Sequence, residues 1–142
     1  MATDGSCRGN PGPGGWAAII DEDGIERVLT GGERLTTNNR MELTAVIEGL
    51  ASFDDPVEIT VYTDSAYVAD GITKWISGWR KRGWRTADGK PVKNKDLWER
   101  LIAASADHRI TWQWVKGHGT FAPNVKADIA ACRAADEQRH PA

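Results

Sequence analysis

The sequence predicts an α/β protein, a mixed five-stranded sheet covered by helices, on three observations. The first third of the chain is β-like and broken by short glycine-containing turns. The apolar periodicity then becomes helical through "TTNNRMELTAVIEGLASF". Two later β-branched or alternating runs, "VEITVYT" and "RITWQWV", are kept apart by helical segments. Strands joined by short turns pair antiparallel, whereas strands joined through helices pair parallel by crossovers. An antiparallel meander followed by parallel strands is therefore expected.

The elements follow in order. The segment around Asp4 is the first strand, and "GGWAAIIDEDGIERVLTGG" reads as two strands about a turn at Glu22–Gly24, because Asp-Gly tolerates positive φ. In the first helix Met41, Leu43, Val46, Ile47 and Leu50 fall on one side. Asn38 and Asn39 are its expected N-caps, which places Glu42 in the first turn. "VEITVYT" is a short buried strand. "SAYVADGITKWISGW" is helical and predicted to break at Gly71, and "NKDLWERLIAASA" is a helix capped by Asn94. After the strand "RITWQWV", the chain ends in the helix "APNVKADIAACRAADEQ", with Pro123 near its first position. The predicted order is β-β-β-α-β-α-α-β-α, with no repeat and no linker.

A chain of 142 residues fits one domain spanning 1–142, able to bury roughly 68–70% of its unfolded surface. It has no run of about 18 apolar residues, so neither a membrane span nor a membrane partner is expected. Cys7 and Cys132 have no metal-ligand spacing and no secretory signal precedes them, which predicts reduced thiols and a cytoplasmic location. Net charge is −2 but unevenly spread. Between Lys74 and Arg100 nine basic residues face three acidic ones, and four of the seven tryptophans (Trp75, Trp79, Trp84, Trp98) lie there. The remainder of the chain is acidic. Basic residues interleaved with aromatics suit contact with a nucleic-acid backbone, above all in "WRKRGWR". Trp75 and Trp98 are the two that also fit a core position.

Four acids sit where they could converge. Asp4 is on the first strand, Glu42 opens the first helix, Asp64 ends the fourth strand, and Asp128 is in the last helix. Crossovers gather strand ends and helix starts at one edge of a sheet. Clustered carboxylates there call for a divalent cation, and Mg²⁺ prefers such oxygen ligands. Most of the 20 acids of any such chain lie on its surface, so spacing alone leaves a surface reading open. His118, in "KGHGTF", has an ordinary pKa suited to proton transfer, although a lone histidine is more often a surface residue.

Taken together, "TDGSCRGNPGPGGW", "TTNNRMEL", "YTDSAYV", "GITKWISGWRKRGWRTADGKPVKNKDLW" and "WVKGHG…NVKAD" resemble bacterial type I ribonuclease H in content and order, from Thr3 to about Ala135. The resemblance implies the ribonuclease H-like fold and hydrolysis of the RNA strand of an RNA–DNA hybrid to 5′-phosphate and 3′-hydroxyl ends. It implies two Mg²⁺ ions, with Mn²⁺ as a possible substitute, and a monomeric enzyme. Asp4 then resembles the ligand bridging the ions, Glu42 and Asp64 those on the leaving-group side, and Asp128 the one on the water side. Glu42 also resembles the residue that touches a ribose 2′-OH, and His118 the loop histidine of proton transfer and product release. Asn10, Asn38 and Asn39 match residues near the minor groove and the backbones. Thr37 and Asn94 resemble a pocket for a DNA-strand phosphate. Trp79, Arg80, Lys81 and Arg82 resemble part of a protruding substrate-binding handle at about 74–100.

The chain departs from that pattern in four places. Ala66 replaces a longer polar side chain, and Leu35 stands where some relatives supply an arginine to the phosphate pocket. No acid occupies Pro123, and only three residues precede Asp4. A central strand paired on both sides would be expected to run further, so either the natural start lies upstream or a trimmed first strand is tolerated.

Overall fold

The computed structural model describes residues 1–116 and 121–139. Strands β1 (Ala2–Cys7), β2 (Gly12–Glu22) and β3 (Ile25–Thr36) come first, followed by α1 (Asn38–Ala51) and β4 (Glu58–Thr63). Helix α2 (Ala66–Asp70) runs through a π-type turn (Gly71–Trp75) into α3 (Ile76–Lys81). Helix α4 (Lys95–Ser105), β5 (Arg109–Trp114) and α5 (Ala122–Arg139) complete the chain. The sheet order is β3-β2-β1-β4-β5. The β1–β2 and β2–β3 pairs are antiparallel, and the β1–β4 and β4–β5 pairs are parallel. This is the expected mixed sheet.

The β2–β3 connection is the two-residue loop Asp23–Gly24, with φ of 53° and 83°. Asp21 Oδ1 accepts from the Gly24 amide across it. Both loop residues have positive φ, the condition that Asp-Gly meets in a tight hairpin.

Alternation along β1 and β2 sends successive side chains to opposite faces. On one face Ala18 and Ile20 join Leu43, Val46, Ile47 and Leu50 of α1, Val61 of β4, and Trp98 and Leu101 of α4 in the main core. The other face of β1 and β2 is covered by α5, which presents the buried alanines Ala127, Ala131, Ala134 and Ala135. Strand β1 is therefore central in the sheet and sandwiched between helices.

Two local expectations are corrected. The N-cap of α1 is Thr37, whose Oγ1 accepts from the Arg40 amide; Asn38 and Asn39 are the first helical residues, and Glu42 falls in the second turn rather than the first. Extended φ and ψ at Thr37 let its hydroxyl reach back to the third helical amide, the geometry a cap requires. Gly71 does not break its helix. A Cβ there would lie 2.0 Å from the ring of Trp98, so glycine is needed for close approach while the helical path continues as a π-type turn. Asn94 does precede α4 as expected, with φ 61°, but its side chain makes no capping bond and is used elsewhere.

Candidate active site

Strand β1 carries Asp4 on the face covered by α5, and Gly5 points toward α1. A Cβ on Gly5 would sit 2.4 Å from the Glu42 amide nitrogen. Only a residue without a side chain permits α1 to press this closely on β1. That contact brings the Glu42 side chain to Asp4. Asp64 follows directly after β4, the parallel neighbour of β1, in which Thr3 pairs with Thr63.

Asp4, Glu42 and Asp64 each offer a carboxylate oxygen, and these oxygens all lie within 4.8 Å of one another. Asp4 and Glu42 are buried, at 4% and 5% exposure. Glu42 Oε2 is buried with no hydrogen-bond partner among the described residues. Burial pushes the Asp4 carboxyl up to about 7; the neighbouring Asp64 and Asp128 add to the shift, and the proximity of Glu42 and the bond from the Gly5 amide oppose it. Burial likewise raises Glu42 well above the ordinary carboxylate range, with Asp4 the next cause.

The fourth acid arrives from the opposite side. Asp128 is on the exposed part of α5, beside the trio rather than within it, and near enough to Asp4 to raise its pKa. One turn earlier, Asn124 is buried and donates through Nδ2 to the Thr3 carbonyl at 3.5 Å, tying α5 to β1 beside Asp4. Its four-residue spacing from Asp128 could have flagged Asn124 in the sequence. His118 lies outside the described residues.

Carboxylates with raised pKa values are poor neighbours for one another and good ligands for a cation. A buried acceptor without a donor, beside two further carboxylates, fits a hard divalent metal whose charge would replace the missing protons.

The remaining site residues surround this cluster. Asn10 Oδ1 accepts from the Asn38 amide at 2.9 Å, so Asn10 meets the start of α1, where Asn38 and Asn39 are exposed. Asn94 is joined to Arg40 and Tyr67. Sequence reasoning passed over these two partners, because nothing in the spacing of "NNRMEL" or "DSAYV" shows that they meet. Leu35 is 76% exposed.

The handle divides by side-chain type. Trp79, expected on the substrate side, is instead 9% exposed and packs against Trp75, Trp84 and Trp98 with ring centroids 5.5–6.3 Å apart. Arg80, Lys81, Arg82 and Arg85 are exposed and form no ion pair among the described residues. The tryptophans thus anchor a projection whose outer surface is basic. Main-chain bonds from the Trp84 amide to the Trp79 carbonyl and from the Val92 amide to the Trp84 carbonyl pin its base.

The family model described as RNase H matches residues 1–136. The chain belongs to the RNase H family. The ribonuclease H of Erythrobacter litoralis is 57% identical over 136 residues, covering 96% of this chain and 94% of that protein. That of Rhodospirillum rubrum is 57% identical over 139 residues, covering 98% and 84%. Among solved structures, LC9-RNase H1, a type 1 RNase H with the type 2 active-site motif, is similar with a TM-score of 0.82 at 34% identity, over 96% of this chain and 72% of that one. LC11-RNase H1 in complex with an RNA/DNA hybrid has a TM-score of 0.70 at 22% identity over 96% and 95%, a likeness of fold. This RNase H is a metal-dependent endonuclease that hydrolyses the RNA strand of RNA–DNA hybrids to 5′-phosphate and 3′-hydroxyl products.

Proposed function

We propose that Asp4, Glu42, Asp64 and Asp128 hold two Mg²⁺ ions during hybrid cleavage, with Mn²⁺ able to substitute. The observation that carries this is the trio of carboxylate oxygens within 4.8 Å around the unpartnered Glu42 Oε2. Such an ion pair supplies an activated water and stabilisation of the leaving 3′ oxygen. Asp4 is the shared ligand, since it lies on the central strand with Glu42 and Asp128 both near enough to shift its pKa. Glu42 and Asp64 serve the leaving-group side, and Asp128, at the exposed end of the cluster, serves the side open to water. Burial in the second turn of α1 holds Glu42 rigid, so that it can also contact a ribose 2′-OH and favour RNA over DNA. His118 moves a proton near the attacked phosphate and assists product release.

Around the cleavage centre, Asn10, Asn38 and Asn39 contact the minor groove and backbones. Thr37 and Asn94 receive a DNA-strand phosphate, and Arg80, Lys81, Arg82 and Arg85 neutralise further phosphates on the handle. Trp79 holds that handle in place from beneath. The enzyme works as a monomer on the hybrid, in the cytoplasm. No helix of the described residues is long and apolar enough to cross a membrane.

The decisive assay compares labelled RNA–DNA hybrid, duplex RNA and duplex DNA, each with and without Mg²⁺. Metal-dependent cleavage of the RNA strand in the hybrid alone is expected. Cleavage that persists in a metal chelator, or equal cleavage of duplex RNA, overturns the assignment.

A further inference from the structure

The edge strand β5 ends in an aromatic side chain beside the carboxylate cluster. Thr63, the residue before Asp64, pairs with Trp114, and the Val115 amide donates to the Thr63 carbonyl at 2.8 Å. Alternate residues of a strand share a face, so Trp114 lies on the same side of β5 as Trp112, which packs against the main core. One step beyond that core, Trp114 is 50% exposed. An indole this open adds little to the packing of the fold.

Across from it, Ala66, Ala69, Asp70 and Thr73 recur at helical spacing along α2 and the π-type turn. With Thr63 and Trp114 they line a slot of about 270 Å³ between α2 and β5. The two alanines keep it open, and the Asp70 carboxylate is offset by Lys74 at 3.3 Å. Lys116, two residues past Trp114, is exposed and forms no ion pair among the described residues. An open aromatic face with an uncommitted cation beside it is how proteins hold single strands: the ring stacks a base and the cation meets a phosphate. A base inside a duplex is already stacked and paired, so only an unpaired one can enter a slot between a strand and a helix.

We infer that Trp114, Lys116 and the slot between α2 and β5 bind single-stranded RNA where the cleaved strand leaves the hybrid, the first unpaired base stacking on the Trp114 indole and a phosphate meeting Lys116. The RNA strand is the occupant because Thr63 and Ala66, which line the slot, bracket Asp64 in the chain, and the carboxylate cluster acts on that strand. The basic handle serves a different part of the substrate. Helix α2 stands between them, with Tyr67 turned to Trp75 and Trp98 while Ala66 and Ala69 face β5. This site rests on the hybrid-cleavage reading given above. Its consequence is a preference for phosphodiesters close to a junction between hybrid and single-stranded RNA.

The test is steady-state cleavage of one hybrid in several forms: blunt, with an unpaired RNA extension at the 5′ or the 3′ end of the RNA strand, and with that extension abasic at its first unpaired position. Wild type, Trp114→Ala, Trp114→Phe, Ala69→Leu and Lys116→Ala are compared at the phosphodiesters nearest the junction, with melting temperatures measured alongside. An RNA extension of one polarity should lower the wild-type KM there about five- to tenfold, as one base stacked on an exposed ring would. The abasic extension should give no such gain. Trp114→Ala should abolish the gain, as should Ala69→Leu, which fills the slot from its other wall, and Trp114→Phe should keep part of it. All of the variants should cleave the blunt hybrid within about twofold of wild type. Lys116→Ala should reduce the salt slope of the gain by about 0.7. The inference is overturned by equal KM values for blunt and extended hybrids in wild type, or by equal gains with both polarities or with the abasic extension. An equal effect of Trp114→Ala on blunt and extended hybrids also overturns it, and each of these results leaves hybrid cleavage standing. If wild type does not cleave the blunt hybrid in Mg²⁺, the hybrid-cleavage reading fails and this inference falls with it.

Discussion

The Asp4 and Glu42 carboxylates meet inside the protein with oxygens within 4.8 Å of each other, Asp4 from the central strand and Glu42 from the second turn of α1. Two like charges in a buried site cannot both ionise cheaply. A site that is uncomfortable without a cation follows from this one contact.

The metal-free protein should accordingly lose stability as pH rises. Folded Asp4 titrates at about 7 against an ordinary 3.8. The folded state thus binds more protons than the unfolded state over that interval, and stability present below it is lost as pH climbs through about 7. Asp4→Asn should melt several degrees higher than wild type at pH 8 in chelator, about what removing a few kcal/mol of charge burial would produce. Mg²⁺ should stabilise wild type more at pH 8 than at pH 5. Calorimetry over pH 4–8 with and without Mg²⁺ checks both; a flat wild-type profile would contradict the buried-acid account.

Asp64→Asn should leave the fold intact and remove nearly all hybrid cleavage, because an amide is a weaker ligand and brings no negative charge to the cluster. Ca²⁺ should support hybrid binding with little turnover, since its looser coordination suits in-line displacement poorly. Circular dichroism and a gel assay on the same sample decide it, and near wild-type turnover would remove Asp64 from the ligand set.

Replacing Arg80, Lys81, Arg82 and Arg85 together with Ala should weaken hybrid binding and flatten its salt dependence. Each lost phosphate contact lowers the log–log slope by somewhat under one unit, about 0.7–0.9. Turnover at saturating hybrid should change far less. The structure adds a contrast: Trp79→Ala should cost about 3–5 kcal/mol of stability, as expected for a buried aromatic. An unchanged salt slope in the quadruple variant would place these basic residues outside the interface.

His118→Ala should lower turnover by about 10- to 100-fold, less than loss of a metal ligand, because water can take over proton transfer at an open site. Single-turnover and steady-state rates would separate a chemical role from one in product release. A loss as complete as that of Asp64→Asn would make His118 essential and contradict the auxiliary role.

Strand β1 is paired as far as Met1, whose ammonium donates to the Thr60 carbonyl at 2.8 Å and whose carbonyl accepts from the Tyr62 amide. Burial lowers the pKa of that ammonium, so holding the charge there costs stability. In the β1–β2 register Ala2 faces Ile19, so the next two positions ahead of Met1 would face Asp21 and Glu22, where β2 ends. Adding residues before Met1 should raise the melting temperature by several degrees, with the gain complete after about two to three positions because the partner strands end there. Turnover per folded molecule should not change. An unaltered melting temperature would show that the existing pairing is sufficient.

Much of this was visible in the sequence. Short-range signals survive folding because they arise from neighbours in the chain. The Asp-Gly turn, the helical stripe from Met41 to Leu50 and the crossovers around "VEITVYT" each depend on a few consecutive residues. Together they determine the mixed sheet, and Asp4 on the first strand and Asp64 ending the fourth are visible as candidates, which the resemblance rather than the spacing selects. The N-cap of α1 escaped because Thr37, Asn38 and Asn39 are all good caps, and the choice among them is made by where β3 releases the chain.

Only the tertiary structure decided which contacts cross between elements. Gly5 matters because α1 lies against it, and Gly71 because Trp98 does. Trp79 turns inward because three other aromatic rings offer it more apolar contact than solvent can, leaving the handle's surface to arginine and lysine. Tyr67, Asn94 and Arg40 are separated by up to 54 residues, and their bonding directions emerge only once donor-only groups are brought within reach. The pKa of Asp4 has the same origin. A carboxyl is raised by the water it loses and the charges it meets, and both are set by packing between segments distant in the chain.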